Sequence, residues 1–239
     1  MLNLSSLPSL RYNGDSAFPP QERDLVRLYD LIVNSRSVTV LEFGCGYSTF
    51  VIGAALKNNE DWFDSLANKP KHRSSSPFTN YSLETNEIWA SECFKKLFRT
   101  DADNNTYILD SSCYADHFMG QLCSFYNELP DIVPDFIYLD GPDPRQIRGS
   151  IHGLSWQCPE RTPMAADILI LESTLIPGTR ILIDGRTNNA RFLARNLKRK
   201  WKIEENREED YTLMELDEPP LGQKIVIGAD ILRWISNNK

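Results

Sequence analysis

The residues of this chain that could do chemistry share one local setting. Glu42, Glu84, Asp110, Asp140 and Asp184 each lie in, or at the end of, a short apolar run, and Gly44-Cys45-Gly46 follows the first of these runs directly. A buried strand that turns through glycines into a helix N-terminus forms a ligand-binding corner. Glycine suits that corner because a residue without Cβ takes φ > 0 and lets the backbone come close to a ligand. Carboxylates at neighbouring strand ends can accept hydrogen bonds from a ribose, take a proton from a reacting hydroxyl, or supply oxygen ligands to a hard cation.

The corner itself narrows the choice. A dinucleotide fingerprint places glycine or alanine where the helix packs against the strand; this chain has Thr49 there. Glu42, two residues before Gly44, disfavours a pyrophosphate and favours a cationic group. Glu84 closes the second strand and is expected to take ribose hydroxyls. It comes later than the usual spacing of roughly 20 residues, which a polar insertion over residues 58–80 explains.

These residues need elements to hold them. Residues 1–20 read as an irregular arm, acting as a tail, a lid or a contact between two copies. Helical spacing of Leu25, Leu28, Tyr29 and Ile32 predicts an amphipathic helix over 21–35. Strands are predicted at 39–43, 81–83, 106–109, 135–139 and 180–183, and helices at about 49–57, 86–99, 114–129, 165–173 and 189–199. Residues 202–206 and 211–216 read as a hairpin, and the tail as a strand over 224–227 and a helix over 230–235. Strands alternating with helices imply a mostly parallel sheet covered on both faces, with ligands beyond the carboxyl ends of the strands. The residues there are 44–48, Glu84, 110–112, 140–143 and 184–189.

Composition sets limits. A chain of 239 residues with 41% hydrophobic and 25% charged residues is ordinary for a folded protein, and is expected to form one domain. A net charge of −7 argues against a general nucleic-acid binder. No apolar run is long enough to span a bilayer, and the N-terminus lacks the pattern of a signal peptide. Five scattered cysteines without a CxxC suggest neither a zinc cluster nor a disulfide framework, which points to a cytoplasmic setting.

From about Gln21 to Leu216 the chain resembles the class I S-adenosylmethionine-dependent methyltransferases. LEFGCGYST (residues 41–49) looks like that family's first motif and SLETN (82–86) like its second. FIYLDGP (136–142) and ILIDG (181–185) resemble its fourth and fifth strands. The resemblance implies an α/β, Rossmann-like three-layer sandwich with a mostly parallel seven-stranded sheet and a C-terminal antiparallel hairpin. It implies S-adenosylmethionine as cofactor, with the backbone at Gly44, Cys45 and Gly46 near the methionine part and Ser48 in the same corner. Glu42 would face the ammonium group, Glu84 the ribose, Asp110 or Ser111 the adenine, and Asp140 the region of transfer.

Methyl transfer to oxygen needs the acceptor's proton removed or its pKa lowered by a metal. Asp140 and Asp184 end neighbouring strands and are the expected catalytic carboxylates. With Asp143 or Asn188 nearby they could also hold Mg²⁺, although the adjacent acid–amide or acid–acid pair of metal-dependent relatives is Asp184-Gly185 here. His152 is a further candidate base, ahead of His117 and His72. Arg145 and Arg148 could bind an acidic acceptor, or form surface ion pairs. Trp156 could line a pocket, with core packing as its plainer role. The basic run Arg191, Arg195, Lys198, Arg199, Lys200 and Lys202 reads as a solvated helix face, with an anionic partner as the sharper alternative. The expected function is a methyltransferase acting on a small-molecule acceptor, with a nicotinamide-dependent oxidoreductase or epimerase, or a non-catalytic cofactor-binding protein, as rivals.

Overall fold

The structure is a computed structural model that describes residues 4–12, 15–16, 21–70, 74–98, 100 and 105–221. Two short strands, Arg11–Tyr12 (β1) and Asp15–Ser16 (β2), pair near the N-terminus. The main sheet is built from Thr39–Phe43 (β3), Thr79–Glu84 (β4), Thr106–Asp110 (β5), Phe136–Leu139 (β8), Arg180–Asp184 (β10), Trp201–Asn206 (β11) and Tyr211–Leu216 (β12). Their order is β11-β12-β10-β8-β3-β4-β5. The five strands from β10 to β5 run parallel, and β12 and β11 are added antiparallel. This is the expected Rossmann-like arrangement with its C-terminal hairpin. Strand order reverses between β3 and β8, and that switch point puts Gly44 beside Asp140.

Alternation along the buried strands divides the core between two faces. Val40, Phe136, Tyr138 and Leu182 meet Glu22–Ser35 (α1) and Tyr47–Asp64 (α2) through Leu28, Ile32, Ile52 and Leu56. Leu41, Phe43, Ile137, Leu139 and Ile181 meet Asp167–Leu171 (α4) and Thr187–Asn196 (α5) through Ile168, Phe192 and Leu193. Glu87–Leu97 (α3) seals the β4–β5 end with Cys93 and Leu97 packed on Phe50 and Leu10. The seating of Leu10 places part of the arm against α2 and α3. Asp135, at the start of β8, accepts hydrogen bonds from Val38 N and Thr39 N at 2.9 and 3.0 Å and so ties β8 to β3.

Three expectations are corrected. Residues 114–129 are not helical: Cys113–Phe118 (β6) and Gln121–Tyr126 (β7) form an antiparallel hairpin, joined by Ile147–Arg148 (β9) in a separate sheet. Met119 and Gly120 both have positive φ, 50° and 76°, the conformation of a two-residue hairpin turn. Buried Cys113 and Cys123 seat this hairpin on the core face where a helix was expected. The helix after the glycine corner does not stop near residue 57 but runs to Asp64, because Asn59 is fully buried and donates to Ile32 O and Ser37 O, closing the end of α1. Of the rest of the 58–80 insertion, residues 65–70 and 74–78 are irregular and Thr79 and Asn80 begin β4, while residues 71–73, including His72, lie outside the described residues. So do most of the 1–20 arm beyond residue 12 and the whole 224–235 tail. Helical spacing over 86–99 turns Ile88 inward with Trp89, Cys93 and Leu97, yet Ile88 is 60% exposed on α3.

Candidate functional site

The glycine corner is held by hydrogen bonds from its own backbone. Gly44 (φ +98°) donates to Leu83 O at 2.7 Å, Cys45 N donates to Glu84 Oε2 at 3.1 Å, and Gly46 N donates to Thr49 Oγ1 at 2.9 Å. Thr49 in turn donates to Glu42 Oε2 at 2.9 Å. Trp89 closes the corner from α3, its indole N–H donating to Cys45 O at 2.6 Å.

Glu42 is fully buried. It accepts from Ser48 Oγ at 2.5 Å and Asn80 Nδ2 at 3.3 Å, and from the Ser82 and Thr49 hydroxyls. Burial pushes its carboxyl up to about 7, against the pull of these donors, which favour the charged form. Both carboxylate oxygens of Glu42 are engaged by donors from the protein itself. It pins the first turn of α2 to β3 and β4, and Ser48 is part of the same knot.

Glu84 lies at the rim of the corner. Its Oε1 accepts from Thr85 N at 2.8 Å and Asn86 N at 2.9 Å, and its Oε2 holds Cys45 N. Burial raises its pKa, and the three backbone N–H groups oppose that shift. Asp110 stands exposed one strand further on, in register with Glu84. Ser111 is buried, donates to Glu128 O at 2.9 Å and accepts from Glu128 N at 3.1 Å, so it anchors the chain after the hairpin rather than opening toward a ligand. The Cys45 thiol is held well above the thiol range, first by its contact with Cys93 and then by burial and the nearby acids, so it is a packing group and not a nucleophile.

Asp140 and Asp184 end adjacent strands, as expected. Their surroundings differ. Asp184 accepts from Tyr138 OH at 3.0 Å on the α1 face of the sheet, and its carboxyl is raised first by burial and then by Asp24. The Asp140 side chain is 60% exposed. Its carboxyl is pushed up to about 6 by the protein packed around it and by Asp184 and Glu84, with Arg186 opposing. Arg186 reaches across from the end of β10. Its guanidinium donates to Asp140 O and, at 3.2 Å, to Pro142 O, and its Nε lies 3.8 Å from Asp140 Oδ1.

The expected Mg²⁺ ligands do not converge. Asp184 is bound to Tyr138, Asp143 is bound by Arg145 at 2.6 Å, Asn188 donates to Thr162 Oγ1 at 3.2 Å, and Asp140 faces a guanidinium. Among the described residues no three His, Cys, Asp or Glu side chains form a group able to hold a metal. The donor set present does not fit a divalent cation.

The remaining candidates fall elsewhere. His152 has φ 52° in an exposed turn bracketed by the Ile151–Leu154 bridge, with no side-chain hydrogen bond to a strand-end acid among the described residues. His117 is exposed on β6 with its Nδ1 3.2 Å from Asp116. Arg145 is occupied by Asp143. Trp156 is buried and donates to Thr162 O at 3.2 Å. An open cavity of about 490 Å³ lies over Leu122, Trp156, Arg161, Thr162 and Met164, between β7 and the segment before α4. Half of the basic run is paired: Arg191 with Glu205, Arg199 with Glu218 and Lys200 with Asp217.

Arg186 and Gly141 fall within the strand-end stretches singled out in the sequence, but neither they nor Trp89 and Tyr138 carried an assigned role in the site. Arg186 carried a signal, as a cation in a strand-end segment otherwise supplying an acid. Gly141 carried another: a Cβ there would stand 2.6 Å from Gly44 N, so only glycine lets the β3 and β8 ends meet.

No protein-family model and no curated protein matches the sequence. Solved structures of similar shape do. The chain is similar to the O-methyltransferase TomG from Streptomyces achromogenes, involved in tomaymycin synthesis and solved in complex with SAM. The two share 12% identity over 84% of this chain and 82% of that one, with a TM-score of 0.47. It is also similar to an O-methyltransferase from Bacillus cereus in complex with SAH, at 13% identity over 90% of this chain and 86% of that one, with a TM-score of 0.45.

Proposed function

We propose that this chain is a class I S-adenosylmethionine-dependent methyltransferase acting on an oxygen of a small-molecule acceptor. The observation that carries the reading is the closure of the glycine corner on acids. Cys45 N–H is taken by Glu84, and Gly46 N–H by Thr49, which is itself bound to Glu42. A pyrophosphate needs free N–H donors and an electropositive corner. Here the N–H groups of Gly44, Cys45 and Gly46 are already taken, with two acids behind them, which favours a cation. That disfavours the nicotinamide alternative.

When bound, the cofactor supplies a methyl group on a sulfonium. The chain's own residues do the rest. The Gly44–Gly46 backbone bounds the methionine part, and Glu84 is the acceptor available to ribose hydroxyls. Asp110 lies beyond it toward the adenine. Asp140, accessible and with a carboxyl near 6, is ionised at neutral pH and suited to take the acceptor's proton. Tyr138, whose phenol is held well above its ordinary range by burial and by Asp140 and Asp184, stays protonated and serves as a donor to Asp184. A divalent metal is not part of this reading, since the oxygen donors are otherwise engaged. The half-paired basic run gives no support to a nucleic-acid substrate. The five cysteines are free thiols, which suits the reducing cytoplasm. No helix among the described residues is long and apolar enough to cross a membrane.

Equilibrium dialysis against adenosylhomocysteine and NAD⁺ tests the reading. Retention of the first alone is expected; retention of NAD⁺ without adenosylhomocysteine would overturn it. Cofactor binding without turnover of any hydroxyl-bearing acceptor in a broad panel would favour the non-catalytic rival.

A further inference from the structure

Arg186 stands where the strand-end acids led us to expect a metal. It starts one residue beyond Gly185, at the end of β10, and crosses to the end of β8. There it meets two backbone carbonyls, those of Asp140 and Pro142, and the Asp140 carboxylate. Backbone carbonyls and a carboxylate are hard oxygen donors of the kind a divalent cation uses. The Arg186 side chain is only 14% exposed, so it is packed into this position rather than resting on the surface. The guanidinium is planar, always charged, and matches several oxygens at once.

We propose that Arg186 is the resident cation of the transfer site, a positioning residue that occupies the oxygen donors around Asp140 and makes the chain independent of a divalent metal. It does two things there. By bonding Asp140 O and Pro142 O it fixes the turn that carries the Asp140 carboxylate. By lying beside that carboxylate without coordinating it as a metal would, it leaves Asp140 free to accept a proton. A Mg²⁺ ion entering the same place would have to displace these bonds and meet a positive charge. The inference rests on the proposed function only in taking Asp140 as part of the transfer site.

The test uses Mn²⁺ as probe, titrated into the protein saturated with adenosylhomocysteine and followed by water-proton relaxation. Wild type should show no binding at millimolar Mn²⁺. Arg186→Ala, by freeing the oxygens, should gain affinity by at least about tenfold, and the gain should vanish when Asp140→Asn is added. Arg186→Lys keeps a charge in place and should keep Mn²⁺ out. Wild-type Mn²⁺ binding that is lost in Asp140→Asn would overturn the proposal. So would an Arg186→Ala protein, folded by its near-ultraviolet circular dichroism, with wild-type Mn²⁺ behaviour. Should that variant not fold, Arg186→Gln is read in the same way. Failure of adenosylhomocysteine to bind the wild type would instead sink the methyltransferase reading, and the Mn²⁺ titration without it would still judge Arg186.

Discussion

Gly141 and Gly44 touch through their backbones. They lie at the ends of the adjacent parallel strands β8 and β3, and a Cβ on Gly141 would fall 2.6 Å from Gly44 N and 2.7 Å from the Phe43 carbonyl carbon. Gly44 must also hold φ +98°, which a side chain resists. The glycine corner and the loop that carries Asp140 are therefore one packed unit.

Gly141→Ala tests that unit. The methyl group meets backbone on all sides and cannot be accommodated by a rotamer change, so destabilisation of about 1–3 kcal/mol is expected. Urea unfolding measures it, and adenosylhomocysteine affinity should fall as well. A variant as stable as wild type would show that the strand ends can separate without cost.

Glu84→Gln should weaken adenosylhomocysteine binding at least about tenfold, because hydrogen bonds to a charged acceptor are worth about 1.5–3 kcal/mol and the amide can present only one oxygen. The effect should be larger than that of Asp110→Asn, whose side chain is exposed. Isothermal titration of both variants decides it; equal affinities would remove Glu84 from the ribose.

Asp140→Asn should bind adenosylhomocysteine like wild type yet lose methyl transfer by about 100-fold or more, the usual scale for a general base. In wild type the rate should fall as the pH drops below about 6, where Asp140 takes up a proton. Rate against pH with a turned-over acceptor checks both, and an Asp140→Asn enzyme of normal rate would place the base elsewhere.

Stability should decline from pH 5 to pH 8. Glu42, Asp135 and Asp167 are buried acids, each with its carboxyl pushed up to about 7 from ordinary values of 4.5, 3.8 and 3.8. Because the folded pKa lies above the unfolded one, the native state binds protons that the unfolded chain has already released. Their stabilising effect is full below the unfolded values, is lost as the pH rises through the window up to 7, and changes little beyond it. Glu42→Gln should flatten its part of the slope, on the order of 1–3 kcal/mol. Urea midpoints of wild type and variant across this range provide the measurement; parallel curves would show that Glu42 is ionised throughout.

Much of the fold was legible because its signals are local. The apolar runs at 39–43, 136–139 and 181–183 are buried strands, and Leu25, Leu28 and Ile32 mark the inner face of α1. The hairpin at 113–126 was not legible, since Tyr114, Phe118, Leu122 and Phe125 fall at helical spacing. Only the positive φ of Met119 and Gly120 and the seating of Cys113 and Cys123 on the core reveal two strands. Asn59 reads as a loop residue until the end of α1 is found beside it.

The strand, the glycine corner and the acids at the strand ends are legible in the order of the residues alone. Periodicity and backbone conformation are properties of neighbouring residues, so they survive in one dimension. The tertiary structure alone decided what each acid faces. Glu42 is closed by Ser82, 40 residues away, and Asp140 meets Arg186, 46 residues away. Those partners follow from strand order and register, which bring distant strand ends within hydrogen-bonding range and which no local spacing encodes. For that reason the glycine corner could be read from the chain, whereas the guanidinium beside Asp140 could not.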